Sequence, residues 1–403
     1  MLTPSYALLI SIAGIIILLR LKLHPGLAIF AGSLVVSLLF LPLRSLPELI
    51  FSTAINEQTI KLLVIIACAM TLSRLMELKG LLTRLAATME RIGPRLALLL
   101  TPSIIGFVPM PGGALVSATA IRDLVKRMKL LPEQATFINY WFRHIWELFL
   151  PVYPAVITAS VIFSIQITTL MIILIPMAIL AATLGIIITL SIIKPKVPRP
   201  NNENHSDNIP YGIFKAAWPV LLLISLVLLG LNAAIAFPLT LVLLALQQKA
   251  SWQDLKQALK YGLDPKILLL LFAVMLYKTT IETSGAADEL FIDMQSIGLP
   301  ATAILVILPF LISFSTGNSM AFVGICFPLL STFISPGSEV NIWALLLVFI
   351  SGEVGYILSP LHLCLILSTE YFEASLSKVY RYIIPPLLIV EAVAVLIYYL
   401  GTA

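Results

Sequence analysis

Two carboxylates, Glu147 and Glu353, stand inside long apolar stretches, and each lies just ahead of residues that break helices. The first stretch reads Arg143-His144-Ile145-Trp146-Glu147 and then meets Pro151 and Pro154. The second reads Ser351-Gly352-Glu353-Val354-Gly355 and then meets Ser359 and Pro360. A carboxylate at membrane depth costs about 2.5–3.5 kcal/mol on insertion scales, so each needs a reason to be there. A functional reading makes one or both a cation or proton site, beside broken helices whose freed carbonyls coordinate Na+ and whose half-helix N-termini hold an anion. A structural reading pairs Glu147 with Arg143 one helical turn away, whereas Glu353 has no basic residue within a turn. Lys278 and Glu282 share the i,i+4 spacing near a helix end, which reads as a structural pair. His144 and His362 are candidate proton relays or substrate donors, although a lone histidine on an apolar helix is more often a packing residue. Cys68, Cys326 and Cys364 are far apart in sequence, without disulfide or metal-ligand spacing, and read as packing residues. No cofactor is expected, and no metal beyond Na+.

These residues sit in a chain of 403 residues that is 60% hydrophobic and only 11% charged, with a mean hydropathy of +1.04. A soluble domain carries roughly a quarter charged residues. Apolar stretches such as Ile165 to Ile193 and Ile383 to Leu400 approach or exceed the ~20 residues a helix needs to cross a bilayer. The one clear hydrophilic stretch, Lys194 to Lys215, divides the chain into segments 1–193 and 216–403. The remaining loops are too short to build a soluble domain, which excludes nucleic acid and large proteins as substrates. Arg20 and Lys22 follow the first apolar run rather than preceding it, so that run reads as a retained helix with its N-terminus outside.

Charge then sets the topology, because Lys and Arg of short loops stay on the cytoplasmic side. Crossing helices are expected at about 5–20, 25–42, 60–78, 135–163, 166–193, 216–232, 234–248, 265–283, 342–372 and 379–401. Two segments, 95–121 and 299–334, remain. Arg74, Lys79, Arg84, Arg91 and Arg95 precede the first, and Arg122, Lys126, Arg127 and Lys129 follow it, so both its ends belong inside. Glu282, Asp288, Glu289 and Asp293 precede the second and Glu339 follows it, so both its ends belong outside. A segment with both ends on one side enters and returns, so each is expected to be a re-entrant hairpin with its tip buried in protein. The first tip reads Phe107-Val108-Pro109-Met110-Pro111-Gly112-Gly113 and the second Ser313-Phe314-Ser315-Thr316-Gly317-Asn318-Ser319. Pro and Gly break the helix at both. Pro111, Gly112 and Gly113 are candidate substrate contacts, as are Ser315, Thr316, Gly317, Asn318 and Ser319, whose oxygens and amide exceed what a turn needs.

Each half then has five crossings and one hairpin, and an odd number of crossings inverts the second half relative to the first. A shift of about 205 positions pairs Lys61 with Lys266, Glu77 with Glu282, Gly80 with Gly285 and Gly93 with Gly298. The fold expected is an all-α polytopic membrane protein of two inverted repeats, with about ten transmembrane helices, two re-entrant hairpins and two broken helices (135–163 and 342–372). Both termini are expected outside the cytoplasmic (inner) membrane.

With the tips placed, the chain resembles the ion transporter superfamily. Phe107-Val-Pro-Met-Pro-Gly-Gly-Ala-Leu-Val-Ser117 looks most like a membrane family within it known only as a domain of unknown function. The resemblance implies a homodimer with a fixed scaffold and a mobile transport domain, the tips and broken helices enclosing substrate and cation. Dicarboxylate members carry Ser-Asn-Thr at both tips. Here only the second tip, with Ser315, Thr316, Asn318 and Ser319, is similar in chemistry.

The function expected is therefore secondary transport of a small anionic solute coupled to Na+ or H+, by elevator-type motion of the hairpin domain. A cation/proton antiporter without organic substrate is the alternative. An intramembrane enzyme is remote: the chain has no intramembrane Asp pair, no H-E-x-x-H and no G-x-S-x-G.

Overall fold

Apolar segments capped by Asn, Asp and Ser and stopped by Gly or Pro fold into helices throughout. The computed structural model describes residues 4–90, 93–109, 113–193, 209–296 and 298–402, and among these every regular element is helical. The first half contains α1 (Pro4–Arg20), α2 (Pro25–Phe40), α3 (Leu46–Ile55), α4 (Glu57–Leu78), α5 (Leu81–Glu90), α6 (Pro94–Ile105), α7 (Gly113–Met128), α8 (Pro132–His144), α9 (Pro154–Ile162) and α10 (Ile167–Ile192). The second contains α11 (Ile209–Leu228), α12 (Ala233–Gln247), α13 (Trp252–Gly262), α14 (Pro265–Ser284), α15 (Ala286–Ser296), α16 (Ala301–Thr316), α17 (Ser319–Leu329), a short α18 (Ser331–Ile334), α19 (Ile342–Leu358), α20 (Leu363–Tyr371) and α21 (Leu376–Thr402).

Local chemistry explains the boundaries. Asn56, Asn232, Asp264, Asn318 and Asn341 accept backbone N–H bonds at the starts of α4, α12, α14, α17 and α19, as N-cap residues do. Gly285 ends α14 and Gly317 ends α16 in the left-handed conformation, with φ of 68° and 61°, which glycine adopts without a Cβ penalty.

Among the described residues, five segments are long and apolar enough to cross a membrane: Glu57–Leu78, Ile167–Ile192, Tyr211–Leu228, Ile342–Tyr371 and Leu376–Thr402. In the span holding α19 and α20, 83% of the apolar membrane-length window is buried within the protein, against 33% for that of α10 and 28% for that of α21. The first is therefore central and the other two peripheral. Their exposed faces are themselves apolar, with Ile172, Ile179 and Ile186 on α10 and Leu388 and Leu396 on α21. Such faces suit lipid rather than water.

Leaving aside α18, the helices follow the same order in both halves, and they pack reciprocally across them. Helix α2 lies on α14 and α12 on α4; α3 lies on α14 and α13 on α4; α1 meets α15 and α11 meets α5. At the centre α7 meets α20 while α17 meets α9, and α8 meets α21 while α19 meets α10. One continuous apolar core runs through both halves.

Four helices were not foreseen as separate elements: α3, α5, α13 and α15. They are only 10 or 11 residues long, and a search for spans passes over them. The linker also gives way early: Lys194 to Asn208 lie outside the described residues, and α11 begins at Ile209, ahead of the expected boundary at Lys215.

Helix α13 is fastened to α4 by a charge. Lys79 Nζ donates to Asp254 Oδ2 at 2.6 Å, and Ser251 donates to the same oxygen through its N–H and its hydroxyl, both at 2.8 Å. The lysine, followed by the Ser251 bonds, holds the Asp254 carboxyl down at about 2. A depressed carboxyl contributes stability that is complete above the ordinary aspartate value near 3.8 and is lost as pH falls through the folded value. Wild type is therefore expected to melt above Asp254→Asn at neutral pH, with the gap closing between about pH 4 and pH 2. Thermal unfolding of both proteins across that range checks it, and a gap that ignores pH would refute the tether.

Candidate functional site

Helix α8 stops at His144, the chain is irregular to Tyr153, and α9 starts with Pro154 at its first position, where a missing N–H costs nothing. Helix α19 stops at Leu358; Ser359, before Pro360, is extended (φ −65°, ψ 125°), as residues preceding proline tend to be. Residues 106–109, which follow α6, and the turn between α16 and α17 close on these breaks. A Cβ on Gly317 would lie 2.8 Å from the Leu361 carbonyl carbon and 2.9 Å from the His362 nitrogen. Ser359 Oγ donates to the Phe314 carbonyl at 2.7 Å and accepts from the Leu361 N–H at 3.2 Å. On the other side, Gly106 is flush against the Arg143 carbonyl and the Tyr153 hydroxyl donates to the Gly106 carbonyl. Ser73 donates to the Pro109 carbonyl at 2.7 Å, bracing that turn from α4.

Where the breaks meet, polar side chains of both halves form one buried cluster. His144 Nδ1 lies 2.5 Å from the Tyr140 carbonyl, and its Nε2 lies 3.2 Å from His362 Nε2. His362 Nδ1 lies 2.8 Å from the Tyr140 hydroxyl and 3.2 Å from the Tyr356 carbonyl. The Tyr356 ring stacks on His362 with centroids 3.9 Å apart. Glu147 Oε1 is 3.7 Å from both Arg143 Nη1 and His144 Nε2. Asn139 ties the cluster to its supports, donating to the Ala114 carbonyl at 3.0 Å and to Ser368 Oγ at 2.9 Å. Polar groups away from water need such partners, which is why this network is dense.

Glu353 stands apart in that neither carboxylate oxygen has a hydrogen-bond partner among the described residues, although the side chain is 99% buried. It lines a cavity of about 20 Å³ with Trp141, His144, Leu148, Leu387 and Val390, large enough for about one water.

The other expected site residues are placed as follows. Pro111 and Gly112 lie outside the described residues, and Gly113 is the buried first residue of α7. Ser315, Thr316, Gly317, Asn318 and Ser319 are half-buried at the second turn. There Asn318 Oδ1 caps α17 through the Ala321 N–H at 3.0 Å and Thr316 Oγ1 donates to Ser313, so at least these two do the work of the turn. Pro360 sits in the break itself. Lys278 pairs with Glu282 at 3.3 Å and donates to Gln58 at 3.2 Å, joining α14 to the start of α4.

Sequence reasoning missed Tyr140, Tyr356 and Glu391, and read Cys364 as a packing residue. Cys364 Sγ lies within 4.8 Å of ligand nitrogens of His144 and His362, a convergence that no spacing along the chain reveals. Glu391 was legible, being an acidic residue inside the long apolar α21; it accepts from Ser351 Oγ at 2.6 Å.

The fold and this cluster define a multi-pass, all-helical membrane protein with discontinuous helices meeting at a buried polar centre. The chain belongs to the family described as protein of unknown function (DUF401), whose sequence profile matches residues 3–400. Its fold is similar to that of the Alcanivorax borkumensis YdaH transporter, whose crystal structure is described as revealing an unusual topology. The two share 15% identity and a TM-score of 0.61, over 94% of this chain and 98% of that one. No curated protein matches the chain significantly.

Proposed function

We propose that the protein is a cation-coupled secondary active transporter of a small anionic solute. The observation that carries this is Glu353: a buried carboxylate without a hydrogen-bond partner among the described residues, beside a water-sized cavity, in a helix that breaks within two turns. Such a group is costly unless it takes up a cation, and Na+ or H+ is the coupling ion this chemistry admits. Glu147, in the other break, is the second candidate, with Ser359 and Pro360 exposing the carbonyls around the second break. Likeness in fold to a structure named a transporter supports the same reading.

In this reading the two halves are inverted repeats, and the α6–α7 and α16–α17 pairs are re-entrant hairpins entering from opposite faces of the cytoplasmic membrane, with both termini outside. The reciprocal packing of the halves supports it, as does the basic charge flanking the first pair and the acidic charge flanking the second. A homodimer with a fixed scaffold carries the hairpins and broken helices as a moving unit, and Arg143 with the hairpin tips meets the anion. A Na+/H+ antiporter is the second reading, favoured by the absence of any basic partner within hydrogen-bonding reach of Glu353 among the described residues.

Flux into proteoliposomes tests both. Carboxylates, sugar acids and oxyanions are offered under an imposed Na+ or proton gradient; uptake of one of them that collapses with the gradient is expected. Uptake indifferent to both gradients would overturn coupling. Proton release on adding Na+ with no solute present would select the antiporter.

A further inference from the structure

The two histidines of the cluster meet at their Nε2 atoms, 3.2 Å apart. The Tyr140 carbonyl is only an acceptor, so His144 Nδ1, 2.5 Å away, carries the proton, and in a neutral imidazole Nε2 is then a bare lone pair. The Tyr140 hydroxyl donates to the Ile357 carbonyl at 2.9 Å. His362 Nδ1 lies between that hydroxyl oxygen and the Tyr356 carbonyl, and in the tautomer that donates from Nδ1 to the carbonyl its Nε2 is a lone pair as well. In that tautomer the two Nε2 lone pairs stand 3.2 Å apart, an arrangement that a shared positive centre relieves. Two nitrogens at about 2.0–2.1 Å from one tetrahedral ion are separated by about 3.3–3.4 Å, close to what is seen.

We propose that His144 Nε2, His362 Nε2 and Cys364 Sγ are a binding site for one thiophilic metal ion, with Cu+ preferred over Zn2+. The three ligand atoms lie within 4.8 Å of one another, and coordination draws the sulfur inward. Each histidine is oriented through Nδ1 by a backbone carbonyl, the arrangement that fixes metal-ligating imidazoles. Softness favours Cu+ or Zn2+ for a thiolate with two imidazoles. Charge decides between them. Arg143 and Glu147 flank the site and offset each other, so with Glu353, which shares a cavity with His144, carrying its proton, a thiolate with Cu+ leaves the buried cluster neutral, whereas Zn2+ leaves it positive. The site draws donors from both breaks, so a bound ion would pin the end of α8 to the start of α20.

The test uses the purified full-length chain and needs no transport. Under ascorbate, Cu+ is titrated in competition with bicinchoninate, and Zn2+ separately against a chromophoric chelator. About one Cu+ per chain is expected, held at least about 100-fold more weakly by Cys364→Ser and His362→Ala and unchanged in Cys326→Ser, whose thiol is buried elsewhere. X-ray absorption of Cu+-loaded wild type, which depends on no variant folding, is expected to show one sulfur and two imidazole nitrogens. Stoichiometric Zn2+ retention without Cu+ would overturn the preference. A copper shell without sulfur, no retained metal, or binding that Cys364→Ser leaves intact would overturn the site.

Discussion

Glu353→Gln is expected to lower gradient-driven uptake by roughly 100-fold while leaving the melting temperature in detergent unchanged or raised. The amide keeps the shape of the side chain but can neither take up a proton nor offer a full charge to Na+. If the about 2.5–3.5 kcal/mol invested in placing a carboxylate at this depth is recovered as function, losing it costs about two powers of ten in rate at about 1.4 kcal/mol each. Stability moves the other way, because both Glu353 oxygens are buried without hydrogen-bond partners among the described residues, and a neutral group there is cheaper to bury. Uptake at the wild-type rate in Glu353→Gln would sink the coupling role. A large fall in melting temperature would instead show that the carboxylate holds the fold together.

Gly106→Ala and Gly355→Ala are expected to lose folded, monodisperse protein, each with a destabilisation of about 1–3 kcal/mol. A Cβ on Gly106 would press into the Arg143 carbonyl and one on Gly355 into the Phe310 carbonyl. Neither neighbour is the free end of a side chain; both are backbone, so relief requires moving α8 away from α6 or α19 away from α16. Gly14, in the middle of α1 with nothing within 4 Å of its missing Cβ, is the control: Ala there is expected to stabilise by roughly 0.5–1 kcal/mol through helix propensity. Thermal unfolding of the three variants under one detergent condition reads the contrast. Equal melting temperatures across them would mean that these close backbone approaches carry no energetic weight.

The long helices were legible because a run of apolar residues between charged or proline-bearing ends admits little else in a membrane protein. Pro154 and Pro360 announced the breaks for the same local reason: proline lacks an N–H and constrains its predecessor. Short helices were not legible. Helix α13, with its Ser251–Asp254 capping box, carries a local signal that a search tuned to spans ignores. The candidate site was half legible. Glu147, Glu353, His144 and His362 stood out as polar residues in apolar runs. That His144 and His362 touch, 218 positions apart, depends on how α8 packs with α20, which local sequence does not encode. Tyr140, Tyr356 and Cys364 are residue types at home in any membrane helix, so only their position beside the histidines distinguishes them.

The exchange of partners between the halves bears on how the molecule can be made. Helix α4 finds its cover in α12 and α13, and α9 in α17, all on the far side of the linker, so residues 1–193 alone would leave their innermost surfaces bare. Biogenesis must then keep an unfinished first half out of trouble until its complement emerges. A gene severed near the linker would yield two pieces able to rebuild the protein only by finding each other in the bilayer.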